Sequence, residues 1–375
     1  MTPRQRIESL LAGRPADRVP FCPAVYEHKA ALIGTTPSRL SRDPGLFERA
    51  LIREAELYRP DMLVVGCDVY NVEAEAVGGK VRFYDSSDVP SIAERPVKVG
   101  DDISRLRFPD PEKDGRMPIC LEAGGRIQKR FGREMFIRGA LSAPFSIACE
   151  LAGAEEVLMA LLDDPDWVSK LLSFSAEIAK TYGRAYVERG LGIILFDSHA
   201  APPLVSPSLY RSLILPPTAD VVGYFREALG LPLVPYIIGG DTSGILEAIL
   251  ETGTNNILCD FRADLSSFVD RLENSPDQFV GQSSWEGRQG RRAFPAGPLE
   301  GNPIKGFPSK SDRPVLLRAN LDPRFLLKAS IPDIQAKTSE VLAIGRRHPG
   351  FILGTGILPF DLPPEKVMAV RAVLE

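Results

Sequence analysis

Eight short apolar runs recur along the chain with helical stretches between them: "RVPFCPAV", "DMLVVGCDV", "MFIRGAL", "GIILFDSH", "LPLVPYIIG", "NNILCDF", "PVLLRAN" and "FILGTGI". Near-continuous apolar runs are what strands look like in a parallel sheet covered by helices. Eight strand-helix units therefore predict an α/β fold, a (β/α)8 TIM barrel. The intervening segments agree. "SPSLYRSLILPPTADVVGYFREALG" has helical periodicity after a Ser cap, and "TSGILEAILETG" runs from a Thr-Ser start to a Gly. The competing architecture, a doubly wound open sheet, would normally carry a glycine-rich phosphate turn after its first strand, and "CPAVYEHKA" has none. The length of 375 residues suits one barrel domain spanning 1–375.

Two regions interrupt the alternation. Residues 80–134 are Pro-rich and charged and read as an excursion with a small hairpin. Residues 275–313, before strand seven, are dense in Gly, Pro and Ser without periodicity. A loop of that length in a compact domain is functional or disordered. It is expected near the barrel mouth, shaping access, with Trp285 and Phe294 as aromatic anchors.

No apolar run approaches the roughly 20 residues that span a bilayer, and "MTPRQRIESLLAGRPADRVPF" has charges where a signal peptide's apolar core would sit. A cytoplasmic protein without a membrane partner is expected. A net charge of -4 with intermixed signs argues against a nucleic-acid surface, and "GRQGRR" reads as a solvated loop. Cys22, Cys67, Cys120, Cys149 and Cys259 are scattered and odd in number, so reduced thiols are expected; Cys22, Cys67 and Cys259 lie in strand-like runs as small buried hydrophobes.

In such a barrel the chemistry sits at the carboxyl ends of the strands. Strand one ends into Glu27 and His28, strand two into Asp68, Tyr70, Asn71 and Glu73, and strand three carries Arg138 and leads to Ser142. Strand four ends in Asp197 and His199, strand five in Asp241 and Thr242, and strand six in Asp260 and Arg262. Strand seven carries Arg318 and Asn320, and strand eight Thr355. The expectation is a common cavity of about 300–1,000 Å³, faced by Asp68, His199, Asp241 and Asn320.

The chain resembles the uroporphyrinogen decarboxylase superfamily, which also holds cobalamin-dependent methyltransferases. "RQRIESLLAGRPADRVP" is similar to the family's opening, "EAEAVGGKV" to its Glu-Ala-x-Gly stretch, and "GALSAPFSIACELAG" to its strand-three Gly-Pro-Phe element. "GGDTSGILEAILETG", "ANLDPRFLL" and "FILGTGILPFDLPPEKV" resemble its later strand-turn elements, so six pieces match in order.

The departures from the family pattern carry functional information. The decarboxylases' Arg-rich segment after strand one reads "VYEHKAALIG" here, with Glu27 and no arginine, and their strand-eight His is replaced by Thr355. Thiol-methylating members bind zinc through His-x-Cys after strand five and a Cys in strand eight, and the aligned positions here are Ile237, Gly239 and Thr355. The resemblance therefore implies a corrinoid-dependent methyltransferase of the substrate-demethylating (O-demethylation) kind. It would take a methyl group from a small methoxylated or methylated donor and give it to cobalamin carried by a partner corrinoid protein. Homodimers are compatible with this expectation, and whether zinc or another metal takes part is open. A decarboxylase-like lyase and a non-catalytic corrinoid- or tetrapyrrole-binding barrel remain as alternatives.

Making an alkoxide or amine leave requires a general acid or Lewis acid beside it. Asp68, His199, Asp197 and Glu73 are the catalytic candidates; Tyr70, Asn71, Arg138, Asp241, Arg318, Asn320, Thr355 and His28 are candidates for binding substrate. Asp68 lies within about one residue of the decarboxylases' strand-two Asp in that resemblance. Each candidate has a plainer reading. His199 suits a hydrogen-bonded loop, His28 a surface position, Asp241 and Thr242 a helix cap, and Asn320 a turn. His348, in "GRRHPG", reads as a solvated turn residue.

Overall fold

In the computed structural model, which describes residues 1–68, 70–274 and 314–375, the eight apolar runs form eight parallel strands. They are β1 (Phe21–Ala24), β2 (Met62–Val65), β5 (Phe136–Ser142), β6 (Gly192–Phe196), β7 (Tyr236–Ile237), β8 (Asn256–Cys259), β9 (Leu316–Leu321) and β10 (Phe351–Ile357). Two parallel sheets, β1-β10-β9-β8 and β2-β5-β6-β7, make the wall. One seam is joined by a bridge between Pro235 and Asn256, the other by a 2.8 Å backbone hydrogen bond from Asp61 to Phe21. The excursion holds its hairpin: β3 (Lys80–Arg82) pairs antiparallel with β4 (Ser91–Glu94). The 275–313 insertion, with Trp285 and Phe294, lies outside the described residues.

Alternation along the strands sorts side chains into two environments. In β5, Ile137 and Leu141 pack outward against the helices, while Phe136 and Ala140 face the barrel interior. A Cβ on Gly139 would stand 2.3 Å from the Tyr186 ring, so only glycine lets the helix Pro165–Glu188 approach this closely. The interior is layered from the strand starts upward. At the bottom, Cys22, Met62, Phe136, Leu316 and Ile352 meet Ile7, Leu10 and Leu11 of the helix Pro3–Leu11. That helix starts with a capping box between Thr2 and Gln5, and its apolar face plugs the amino-terminal end of the barrel. Higher up, Tyr26, Ile194, Phe196, Ile237 and Leu258 form a second apolar layer. All five cysteines are buried and free. Among the described residues no helix is long and apolar enough to cross a membrane.

Asp61 locks the plug to the seam. It is fully buried, accepting from Arg6 Nη1, from Arg18 Nη1 at 2.8 Å and from the Phe21 backbone N–H at 2.7 Å. Removing one partner of such a network leaves buried guanidinium uncompensated. Asp61→Ala is expected to lower the urea unfolding free energy by about 3–5 kcal/mol, read as a lower midpoint at unchanged slope. A loss below about 1 kcal/mol, the range of an exposed pair, would contradict this role.

Candidate active site

The strand ends gather most of the polar residues expected there, but their carboxylates are heavily engaged. Glu73, in the helix Asn71–Val77, is buried and accepts from Ser142 N at 2.7 Å and Ser142 Oγ at 3.1 Å, tying that helix to the end of β5. Burial outweighs these bonds and pushes its carboxyl up to about 7. Asp197, just past β6, accepts from Ser146 N at 2.8 Å, Ser146 Oγ at 2.7 Å and Tyr236 Oη at 2.8 Å. Its carboxylate thus sits at the N-terminus of the helix Pro144–Ala152, where exposed N–H groups favour an anion. Burial still raises it to about 6.

Asp68 is buried in an ion pair with Arg116 at 2.6 Å. Arg116 also holds Glu75 and the Asn71 carbonyl oxygen, both at 2.5 Å. Asn71 in turn donates to Pro90 O at 2.7 Å, fastening the excursion to the barrel. Burial raises Asp68 to about 6 against the pull of Arg116. Nothing in the sequence marked Arg116, which lies in the irregular excursion 48 residues from its partner.

His199 is the half-exposed member of the group. Its Nδ1 lies 3.2 Å from Ser146 Oγ, and its Nε2 lies 4.0 Å from Glu150 Oε1. Ser146 Oγ has one proton and sits 2.7 Å from Asp197, so it donates there and accepts from His199 Nδ1–H. That assigns the tautomer and leaves the Nε2 lone pair free. Burial lowers the His199 pKa and raises that of Glu150. The Tyr70 ring packs edge-on against the imidazole at 5.2 Å, and its hydroxyl accepts from Ser198 N at 3.2 Å. Tyr70 holds a left-handed φ of 83°, a conformation costly for a bulky residue and concentrated at functional sites. Ser146 and Glu150 were not singled out from sequence; their only signal was a position in the first turns after the "SAPF" strand end.

Several expectations are corrected. Asp241 is exposed and accepts from Ser243 N at 3.0 Å and Ser243 Oγ at 2.6 Å, a local turn contact, not a wall of a common cavity. Thr355 is fully buried, its Oγ1 accepting from Ala24 N at 3.1 Å between the paired strands β1 and β10. His28 is buried, not on the surface: Nδ1 faces Pro359 O at 3.0 Å and Nε2 faces Tyr58 Oη at 2.6 Å, pinning the last loop to the helix Pro44–Tyr58. His348 is buried too, accepting from Gly350 N at 3.2 Å. Arg138 and Arg318 are buried as the third residues of β5 and β9, and Asn320, two residues further along β9, accepts from Arg318 Nε at 3.0 Å. The cavity lined by Asp68, Tyr70, Glu73, Ser142 and Phe196 has about 10 Å³, room for one water and far smaller than expected. The larger hollow, about 360 Å³, lies beside His28, Arg53, Phe360 and Pro363.

Zinc does not fit the positions aligned with the thiol-methylating enzymes. Ile237 and Gly239 offer no side-chain donor, and Thr355 is committed to the barrel wall. Among the described residues no three His, Cys, Asp or Glu side chains converge to hold a metal.

A parallel eight-stranded barrel whose carboxyl-terminal mouth carries a braced polar cluster is an enzyme architecture. The profile of the uroporphyrinogen decarboxylase (URO-D) family matches residues 2–375, and the chain belongs to that family. It is 28% identical over 281 residues to the methylcobamide:CoM methyltransferase MtbA of Methanosarcina acetivorans, covering 73% of this chain and 80% of that one. It is 25% identical over 366 residues to the uroporphyrinogen decarboxylase of Pelobacter propionicus, covering 92% and 91%. Among solved structures, a methyltransferase from Methanosarcina mazei superposes with a TM-score of 0.78 at 20% identity, over 100% of this chain and 98% of that one. That likeness establishes the barrel fold.

Glu73 makes the site's electrostatics testable. Its folded pKa of about 7 exceeds the ordinary 4.5, so the folded state binds its proton more tightly than the unfolded chain. The stabilisation is complete below about pH 4.5 and is lost as pH rises through about 7. The stability difference between wild type and Glu73→Gln should shift against wild type across that window, by about 1.4 kcal/mol per pKa unit. Denaturant titrations from pH 4.5 to 7.5 read this; a flat or rising difference would contradict it.

Proposed function

We propose that this protein is a corrinoid-dependent methyltransferase of the O-demethylating kind, moving a methyl group from a small methylated donor to the reduced cobalamin of a partner protein. The similarity to methylcobamide:CoM methyltransferases carries this reading, together with the loss of the donor set a zinc-activated thiol would need. Lys29 argues against porphyrinogen decarboxylation. The only cation of "VYEHKAALIG" is fully buried, donates to Gly66 O at 2.6 Å and pairs with Glu54 at 3.4 Å, so it is turned away from any polycarboxylate at the mouth.

In the proposed step the donor's methyl–oxygen bond breaks, its electron pair stays on oxygen, and the methyl carbon joins the cobalt of the corrinoid, a co-substrate held by the partner. The oxygen then needs a proton. Glu150, which burial pushes toward its protonated form, is assigned to supply it by way of His199, whose free Nε2 lone pair takes the proton on and passes it to the oxygen; the two are the half-exposed titratable pair at the mouth, and burial draws their pKa values toward one another. Asp197 and Ser146 fix the imidazole, and Tyr70 packs on its face. Asp68 lines the mouth and, held by Arg116, contributes its field and its position.

Mixing the protein with reduced corrinoid protein and a panel of methoxylated aromatics should convert the cob(I)alamin spectrum to that of methylcobalamin. No conversion with any methylated donor would sink the reading. Loss of a general acid costs about 10²- to 10⁴-fold in rate, and His199→Ala should fall in that range with its urea midpoint unchanged. A rate near wild type would remove His199 from the chemistry.

A further inference from the structure

Between the two apolar layers of the barrel lie two arginines that form no ion pair among the described residues. Arg138 follows Phe136 and precedes Ala140 on the interior face of β5; Arg318 follows Leu316 and precedes Asn320 on that of β9. Both are buried, at 2% and 5% exposure. Arg138 has no hydrogen bond or ion pair among the described residues, and its Nε is buried without a partner. Arg318 donates through Nε to Asn320 Oδ1 at 3.0 Å and through Nη2 to Thr355 O at 3.1 Å, leaving Nη1 uncommitted. Tyr26 is buried as a residue, and its hydroxyl makes no hydrogen bond among the described residues. Gly354 on the adjoining β10 makes room for Arg318: a Cβ there would stand 2.3 Å from Arg318 Nε.

A guanidinium stays charged in a protein, and burying it costs several kcal/mol unless it is paired. Two such cations close enough to disfavour each other's charge make that cost larger; burial and mutual repulsion draw Arg138 down to about 10. Among the mouth carboxylates Asp260 acts on Arg318 from a distance, with no ion pair between them, and the others are taken. Asp68 is paired with Arg116, Glu73 with Ser142, and Asp197 with Ser146 and Tyr236.

We propose that Arg138, Arg318 and the Tyr26 hydroxyl form an oxyanion site that takes the carboxylate of the methyl donor, so that the substrate is a methylated carboxylic acid. This rests on the methyl-transfer reading above and names its substrate class. The free fork of Arg138 matches the two oxygens of a carboxylate, and Arg318 Nη1 supplies a second cationic donor. The layer above, Tyr26, Ile194, Phe196, Ile237 and Leu258, is apolar and closely packed, and Tyr70, which packs against it, touches His199 at the mouth; a donor anchored below presents its far end in that direction once these side chains part.

Isothermal titration calorimetry of the full chain at constant ionic strength, without corrinoid, compares meta-methoxybenzoate, its uncharged amide and inorganic phosphate. The acid should bind at least roughly 10-fold more tightly than the amide, the range of a charged hydrogen bond. Arg138→Met should weaken the acid roughly 10- to 100-fold and leave the amide unchanged. Without ligand this variant should melt at or above the wild-type temperature, because an unpaired buried charge has been removed. Equal binding of acid and amide, binding of phosphate alone, or a lower melting temperature for the ligand-free variant each overturns the proposal. The comparison of acid with amide on wild type decides the matter even if the variant does not fold. Acid binding without methyl transfer would leave this site standing and fail the methyltransferase reading; methyl transfer with no preference for acids would fail this site alone.

Discussion

Asp197 organises the carboxyl-terminal mouth. One carboxylate, fully buried, receives the first turn of the helix Pro144–Ala152 through Ser146 and the wall of the barrel through Tyr236. Burying it without those three donors would cost several kcal/mol; with them it fixes the end of β6, and His199 two residues later inherits that fixed position. Glu73 does the same for the end of β5, and Asp61 for the closing seam at the opposite end. Buried carboxylates thus act as braces between successive strand-helix units, and the reactive edge is the half-exposed pair that they hold.

The fold was legible because a covered parallel strand shows itself in the sequence as an unbroken apolar run. The site was less so, for a specific reason. An acid at a strand end reads the same whether it faces substrate or a neighbour's backbone N–H, and the partners of Glu73 and Asp197 include the N–H groups of Ser142 and Ser146, which carry no sequence signal. Asp241 was legible as a local backbone partner, and the structure gives it a turn contact with Ser243, while Thr242 stands at the helix start with no capping bond from its side chain. His28 and His348 misled in the opposite direction: each is polar beside loop-like sequence yet buried, satisfied by backbone groups brought from elsewhere or from two residues on. Arg138 and Arg318 are the third residues of their strands, so a strand's rise of about 3.3 Å per residue sets them below the mouth. Depth was readable from that count; the lack of counterions was not.

The mouth therefore inverts the expectation drawn from its composition. The acids there are mostly satisfied, while the groups left without a partner at the mouth and in the barrel interior include a cation, Arg138, a hydroxyl, Thr242 Oγ1, and the His199 Nε2 lone pair. A cation deep in the barrel and a proton-handling edge at the rim together suit an anchored substrate that presents its far end to a partner docking from outside. The family supports more than one chemistry, as its decarboxylase and methyltransferase relatives show, so the reaction must be argued from these residues and not from the barrel.

The account is tested most directly by following one carbon. A methylated acid whose methyl carbon alone carries a heavy isotope is incubated with the protein and reduced corrinoid protein, and the products are read by mass spectrometry. The account predicts the label on the corrinoid and a demethylated acid with its carboxyl group intact. Release of carbon dioxide from an acid that keeps its labelled methyl would contradict it and return the protein to the decarboxylases.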